Sequence, residues 1–137
     1  MAVVLDSDAV VGFLDRSDAL HESADAAIRD VVSRQPLAVS VITYAEILTG
    51  AKLGHHDEDL VTGFLTEVVS HIIPVDVEIA DRAAELRAAE RSLRMPDALI
   101  VATADLDPEL ELLLTGDQLV GKLKNLRCEV QLLPASA

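Results

Sequence analysis

Apolar residues in this chain occur as short runs that alternate with longer stretches in which they recur every three or four positions. The short runs predict strands and the longer stretches predict helices. The predicted strands cover residues 2–5, 37–39, 71–75, 112–115 and 128–132. The predicted helices cover residues 8–14, 21–32, 41–53, 57–69, 77–93, 96–104 and 117–124. This alternation is typical of an α/β fold with a mostly parallel sheet.

The composition supports a buried sheet. Half of the residues are apolar, yet the aromatic residues are only Phe13, Phe64 and Tyr44. The core must therefore be built from Val, Leu, Ile and Ala, which suits a parallel sheet covered by helices on both faces. A length of 137 residues is typical of one domain, so we expect residues 1–137 to form a single domain.

The chain carries no apolar segment near the ~18 residues of a membrane span and no leader-like start. We therefore expect a cytoplasmic protein without membrane contact. Its one cysteine, Cys128, lies in an alternating apolar stretch, which predicts a core thiol and excludes an intramolecular disulfide.

The charge is strongly acidic. There are 24 acidic and 11 basic residues, for a formal charge of −13. Taken alone, this charge opposes nucleic-acid binding, because affinity for phosphates needs Lys and Arg. It suits a solvated acidic surface, a basic partner, or acids that are gathered to hold cations.

Two acids follow predicted strands directly. Asp6 comes after AVVL, and Asp117 comes after LLLTG. Open α/β sheets carry their sites at the carboxyl ends of strands, so both residues are candidates for a reaction centre. The alternative for each is a helix N-cap, a position that Asp favours.

Two further acids lie on predicted helices. Glu46 is at the edge of an apolar stripe, and no basic residue lies three or four positions away to pair with it. The alternative is a side chain that turns outward to water. Asp97 opens the apolar helix ALIVATA, where capping is the alternative role and Arg94 is a possible partner. Four such carboxylates would not remain ionised together without cations, and an oxygen-only site selects Mg²⁺ or Mn²⁺ over zinc.

The segments LDSDAVVGFL, SVITYAEILTG, RMPDALIVATA and LLLTGDQLV, in that order, resemble the PIN-domain nucleases, particularly VapC-type toxins. The resemblance implies a three-layer α/β/α sandwich around a central, mostly parallel sheet of short strands. It also implies an Mg²⁺-dependent endoribonuclease, with Mn²⁺ as a substitute, that hydrolyses RNA with metal-activated water. The family's four acids fall on Asp6, Glu46, Asp97 and Asp117, as catalytic and metal-binding residues.

The same resemblance places the family's hydroxyl on Thr115, where it would orient a neighbouring carboxylate. Two features depart from the family pattern. Asp8 stands where Ser or Asn is common. We expect it to cap the first helix, and the alternative is that it adds negative charge at the rim of the site. No aromatic residue follows Asp117, which makes that acid the least secure of the four. The family further implies a type II toxin–antitoxin pair, with a small antitoxin that carries a basic segment, and a homodimer or hetero-oligomer.

Basic residues that could contact RNA form two groups, for which ordinary surface pairing is the alternative. The first group is Lys122, Lys124 and Arg127, and the second is Arg82, Arg87, Arg91 and Arg94.

Other functions remain open at this level. The motif VVLDSDAVV also fits a haloacid-dehalogenase-like phosphatase with Asp6 as nucleophile, although no Lys lies between Lys52 and Lys122. A receiver-like domain would need a phosphoacceptor, for which Asp76 is a poor candidate. A PIN scaffold that acts only as a binding module is the non-enzyme alternative. No convincing metal site is formed by His21, His55, His56 or His71.

Overall fold

The computed structural model describes residues 1–136, in which five strands form one sheet. The strands are β1 (Ala2–Leu5), β2 (Leu37–Ser40), β3 (Val69–Ile73), β4 (Leu110–Thr115) and β5 (Glu129–Leu132). Their order is β3-β2-β1-β4-β5, and every neighbouring pair is parallel. The predicted α/β fold with a mostly parallel sheet is confirmed, and within the described residues the sheet is parallel throughout.

The helices of the described residues connect these strands. They are α1 (Ser7–Leu14), α2 (His21–Val32), α3 (Val41–Lys52), α4 (Glu58–Gly63), α5 (Val77–Ala89), α6 (Met95–Leu106) and α7 (Gln118–Gly121). A π-helical segment, Phe64–Val68, continues α4. None of the helices in residues 1–136 is long and apolar enough to cross a membrane.

Helices cover both faces of the sheet, because successive side chains of a strand point to opposite faces. In β1, Val3 and Leu5 join one apolar cluster, which α1, α2, α3 and α4 cover. Ala2 and Val4 join a second cluster, which α5, α6 and α7 cover. The result is the α/β/α sandwich that the resemblance implied, and Cys128 lies buried in the second cluster as predicted.

Several predicted boundaries are wrong. The strand predicted at 112–115 begins at Leu110, and the helix predicted at 117–124 ends at Gly121. The strand predicted at 71–75 begins two residues earlier, because Val69 pairs with Leu37 of β2 and is buried there. The helix predicted at 57–69 therefore ends before Val69, through a π-helical turn. The helix predicted at 77–93 stops at Ala89, where a turn buries Leu93 completely.

The buried carboxylate of Asp105 links α5, α6 and the segment that precedes β5. Asp105 in α6 is 8% exposed, and it accepts hydrogen bonds from Arg82 Nε at 2.8 Å and from the backbone N–H of Arg127 at 2.6 Å. The guanidinium of Arg127 also donates to backbone carbonyls at the end of α6 and the start of β4. Arg82 and Arg127 are therefore structural, and neither is free to bind RNA.

The strand order fixes where a site can form. The chain runs from β1 to β2 and β3 on one side, and then crosses to β4 on the other side of β1. The carboxyl ends of β1 and β4 therefore meet at a switch point of the sheet, which is where open α/β folds bind ligands. The backbone N–H of Asp6 donates to the carbonyl of Leu114 at 3.1 Å across this point.

Candidate active site

Asp6 lies at the centre of this switch point. It caps α1, because its Oδ1 accepts the backbone N–H of Ala9 at 2.9 Å, and its Oδ2 accepts the hydroxyl of Thr115. The residue is only 7% exposed. Asp6 therefore does cap α1, which was the alternative considered from the sequence. The capping bond uses Oδ1, and Oδ2 faces β4.

The pKa of Asp6 is raised from 3.8 to about 7, first of all because burial disfavours the charged form. The hydrogen bonds from Thr115 and Ala9 lower this pKa, whereas the charges of Asp8 and Asp97 raise it. No Lys or Arg among residues 1–136 forms an ion pair with Asp6. The ionised form of Asp6 thus calls for a cation that these residues do not supply.

Thr115 joins two of the acids. It ends β4, is fully buried, and accepts the backbone N–H of Asp117 at 3.0 Å while it donates to Asp6. Asp117 in turn caps α7 by accepting the N–H groups of Leu119 and Val120 at 2.8 and 3.2 Å. One hydroxyl therefore contacts both the carboxylate of Asp6 and the backbone of Asp117.

Glu46 reaches the same end of the sheet from α3. It is half-buried, and its Oε1 accepts the hydroxyl of Ser7 at 2.7 Å. Ser7 also lies 3.4 Å from the hydroxyl of Thr43, one turn before Glu46. The carboxylate that lacks a basic partner on its own helix is thus held by a hydroxyl from α1.

Asp97 stands in the first turn of α6, with its side chain 18% exposed. Arg94 Nε lies 3.2 Å from Asp97 Oδ2, so the pairing that the sequence suggested is present. The pKa of Arg94 is raised mainly by Asp97, and also by Glu46 and Asp8. Arg94 therefore lies within range of three acids at once.

Asp8 does not cap α1, so that expectation is wrong. Asp6 occupies the cap position, and Asp8 falls in the first helical turn. Burial raises the pKa of Asp8, and the charges of Asp97 and Asp117 raise it further. Asp8 therefore adds negative charge at the rim of the same cluster.

Taken together, acids from α1, α3, α6 and the β4–α7 connection gather at one end of the sheet. The charge of Asp97 acts on Asp6, and the two residues border one narrow crevice whose other lining residues are apolar. In the part of the chain that the structure describes, no three His, Cys, Asp or Glu side chains already converge at metal-binding geometry. Two features keep these acids apart. The carboxylates repel one another, and Asp97 forms an ion pair with Arg94. The donors themselves, carboxylates with Ser and Thr hydroxyls, are the hard oxygen ligands that fit Mg²⁺ or Mn²⁺.

The sequence matches the model of the PIN domain family over residues 3–124. The chain belongs to the PIN-domain family. This match covers most of the chain, and it includes all four acids that the resemblance selected. PIN-domain nucleases generally use divalent metal ions, which agrees with the oxygen-rich cluster.

Solved PIN-domain structures are similar to this chain. A toxin–antitoxin complex from Klebsiella pneumoniae is 30% identical, with a TM-score of 0.64 over 85% of this chain and 87% of that one. VapC20 of Mycobacterium tuberculosis, described as a sarcin–ricin loop cleaving toxin, is 17% identical, with a TM-score of 0.66 over 90% and 98%. A DNA-bound VapBC from Salmonella typhimurium is 16% identical, with a TM-score of 0.69 over 98% and 99%. The predicted resemblance to VapC-type PIN-domain toxins is confirmed. Among curated proteins, no significant match was found.

Sequence reasoning missed two members of this PIN-domain site, Ser7 and Thr43. Ser7 stands between two Asp residues directly after a strand, and Thr43 lies three positions before Glu46. Both spacings place a hydroxyl beside a candidate acid, which was the available signal.

Proposed function

We propose that this PIN domain is a metal-dependent endoribonuclease, the toxin of a type II toxin–antitoxin pair, with Asp6, Glu46, Asp97 and Asp117 as its catalytic and metal-binding residues. The observation that carries this proposal is the buried carboxylate of Asp6, which lies among other acids at the switch point without a basic partner in residues 1–136. A buried charge of this kind is costly unless a cation compensates for it.

Mg²⁺ is the cation that we propose, with Mn²⁺ as a substitute. When bound, such an ion activates water and offsets charge at the phosphodiester. Asp6, Glu46, Asp97 and Asp117 would hold it, because their carboxylates supply hard oxygen donors at the same end of the sheet.

The hydroxyl groups orient these acids. Thr115 fixes one oxygen of Asp6, and Ser7 fixes one oxygen of Glu46. Each of these carboxylates keeps lone pairs for a ligand, since a carboxylate has about four acceptor sites. The hydrogen bonds therefore pre-orient the site before an ion or a substrate arrives.

RNA as the substrate is supported by family membership and by the similarity to a toxin described as cleaving the sarcin–ricin loop.

The antitoxin partner is supported by the similarity to toxin–antitoxin complexes. We infer that a basic antitoxin segment is complementary to this acidic chain, whose formal charge is −13. A homodimer or a toxin–antitoxin hetero-oligomer is part of the same proposal.

We also propose that residues 1–137 form one domain, because a single sheet carries every described strand.

The test is cleavage of a labelled single-stranded or looped RNA by the purified protein. We expect cutting with Mg²⁺ or Mn²⁺ and none after chelation. DNA of the same sequence and a phosphomonoester serve as parallel substrates. A protein that cuts RNA with neither Mg²⁺ nor Mn²⁺ would contradict the proposal. Robust phosphomonoester hydrolysis without RNA cleavage would favour the dehalogenase-like phosphatase instead.

A further inference from the structure

The guanidinium of Arg94 lies at the mouth of the acidic cluster. Arg94 is the N-cap residue of α6, where its guanidinium cannot accept a capping hydrogen bond because it carries donors only. It donates to Asp97 at 3.2 Å, and its charge acts on Glu46 and Asp8 as well. The acids that surround it come from three different helices.

Arg94 differs from the other arginines of its neighbourhood. Arg82 and Arg127 are committed to Asp105 and to backbone carbonyls, and Arg87 donates to the carbonyl of Leu93 at 2.6 Å. Among residues 1–136, Arg94 is the only Lys or Arg that forms an ion pair with one of the four proposed site acids. Its side chain is also 72% exposed, so a polyanion can reach it.

Arg94 and a divalent cation would compete for the same oxygen. Asp97 is proposed to hold the ion, and its Oδ2 is the atom that Arg94 contacts. An exposed ion pair is weak, whereas a divalent ion shared by several carboxylates interacts with each of them strongly. The ion would therefore release the guanidinium, which remains tethered three residues from Asp97.

A released guanidinium at this position suits a phosphate. Its planar fork of donors matches phosphate oxygens in a bidentate manner. It also supplies positive charge beside the reaction centre in a chain whose overall charge would repel RNA.

We propose that Arg94 is a displaceable counter-ion, which pairs with Asp97 in the cation-free protein and binds an RNA phosphate once a divalent cation has taken Asp97. This inference rests on the proposed function. It assigns Arg94 as a substrate-positioning residue, and it predicts opposite effects of one substitution on the binding of metal and of RNA.

The first measurement is Mn²⁺ binding to the RNA-free protein, followed by the electron paramagnetic resonance signal of free Mn²⁺. Arg94→Gln should tighten binding by about threefold to tenfold, because the competitor for Asp97 is gone. The matched control is Arg91→Gln, which removes the same charge from an exposed residue outside the cluster and should leave the affinity within about twofold.

The second measurement is steady-state RNA cleavage at saturating Mg²⁺. Arg94→Gln should raise KM by about tenfold with little change in kcat, and it should reduce the slope of log KM against log salt by about 0.7. Arg94→Lys keeps the charge but lacks the planar fork of donors, so its KM should lie between those of the wild type and Arg94→Gln.

Tighter Mn²⁺ binding together with a raised KM supports the proposal. Weaker Mn²⁺ binding together with a raised KM would indicate a structural role for Arg94 and overturn the proposal. An Arg94→Gln variant that matches Arg91→Gln in both measurements would overturn it as well. If the wild-type protein cleaves RNA, these outcomes concern Arg94 alone. A wild-type protein that cleaves no RNA overturns the proposed function and this inference with it.

Discussion

The hydroxyl of Thr115 donates a hydrogen bond to the carboxylate of Asp6, 109 positions earlier in the chain. The same oxygen accepts the backbone N–H of Asp117 at 3.0 Å. A single buried hydroxyl thus connects the first and the last acid of the candidate site across the junction of β1 and β4. Its removal should disturb both acids together.

Thr115→Val tests this connection, because Val has nearly the same shape but no hydroxyl. We expect RNA cleavage to fall by about 10- to 100-fold. The free energy of unfolding should fall by about 1–3 kcal/mol, since the N–H of Asp117 loses its buried partner. Thr115→Ser is the control, as it keeps the hydroxyl. Equal cleavage by the Val variant and the wild type would show that the hydroxyl does not position the acids.

Asp6→Asn and Asp97→Asn test the proposed metal-binding acids. Each change preserves size and removes the charge, so each should reduce cleavage by more than about 100-fold, or about 2.7 kcal/mol of transition-state stabilisation. Circular dichroism should show an unchanged fold. Asp81→Asn on the exposed face of α5 is the matched control, and it should cleave like the wild type. Undiminished cleavage by both site variants would exclude this assignment.

The stability of the cation-free protein should depend on pH through Asp6. Its pKa is 3.8 in the unfolded chain and about 7 in the fold, because burial disfavours the carboxylate. The folded state therefore binds more protons between these values, and this group's contribution to the free energy of unfolding falls as pH rises through that window. Above about pH 7 the loss is complete.

Asp6→Asn removes this dependence. In the presence of a chelator, the free energy of unfolding of the variant should rise by about 2.6 kcal/mol relative to that of the wild type between pH 5 and pH 8, as measured by urea unfolding. Saturating Mn²⁺ at pH 8 should reverse the difference by stabilising the wild type alone. A difference that stays constant across this pH range would mean that Asp6 titrates normally.

Arg127 offers a prediction on stability away from the site. Its guanidinium donates to carbonyls at the end of α6 and before β4, and its backbone N–H donates to Asp105. Arg127→Met leaves several carbonyls without that donor, so the free energy of unfolding should fall by about 2–4 kcal/mol. Mn²⁺ affinity below the melting transition should not change. Arg16→Met, an exposed arginine between α1 and α2, is the control for loss of charge.

Most elements and the position of the site followed from local pattern. The run AVVL is apolar at four successive positions, which is what a strand buried on both faces requires, and Asp6 must then emerge at its carboxyl end. The Arg94–Asp97 pair was also readable, because residues three apart on a helix are neighbours. Boundaries were less readable. Val69 belongs to either a helix or a strand by its local sequence, and only its pairing with Leu37 decides between them.

The sequence by itself determined the α/β class, the two-sided burial of the strands and the presence of acids at the strand ends, because these features depend on residue type and short-range periodicity. Tertiary structure alone decided the strand order that brings Thr115 beside Asp6, the bond from Ser7 to Glu46, and the burial of Asp105 between Arg82 and Arg127. Those partners are separated by 20 or more positions, and periodicity carries no information about which distant polar atoms will meet. The physical reason is that a buried polar group must find a partner wherever the packed chain brings one.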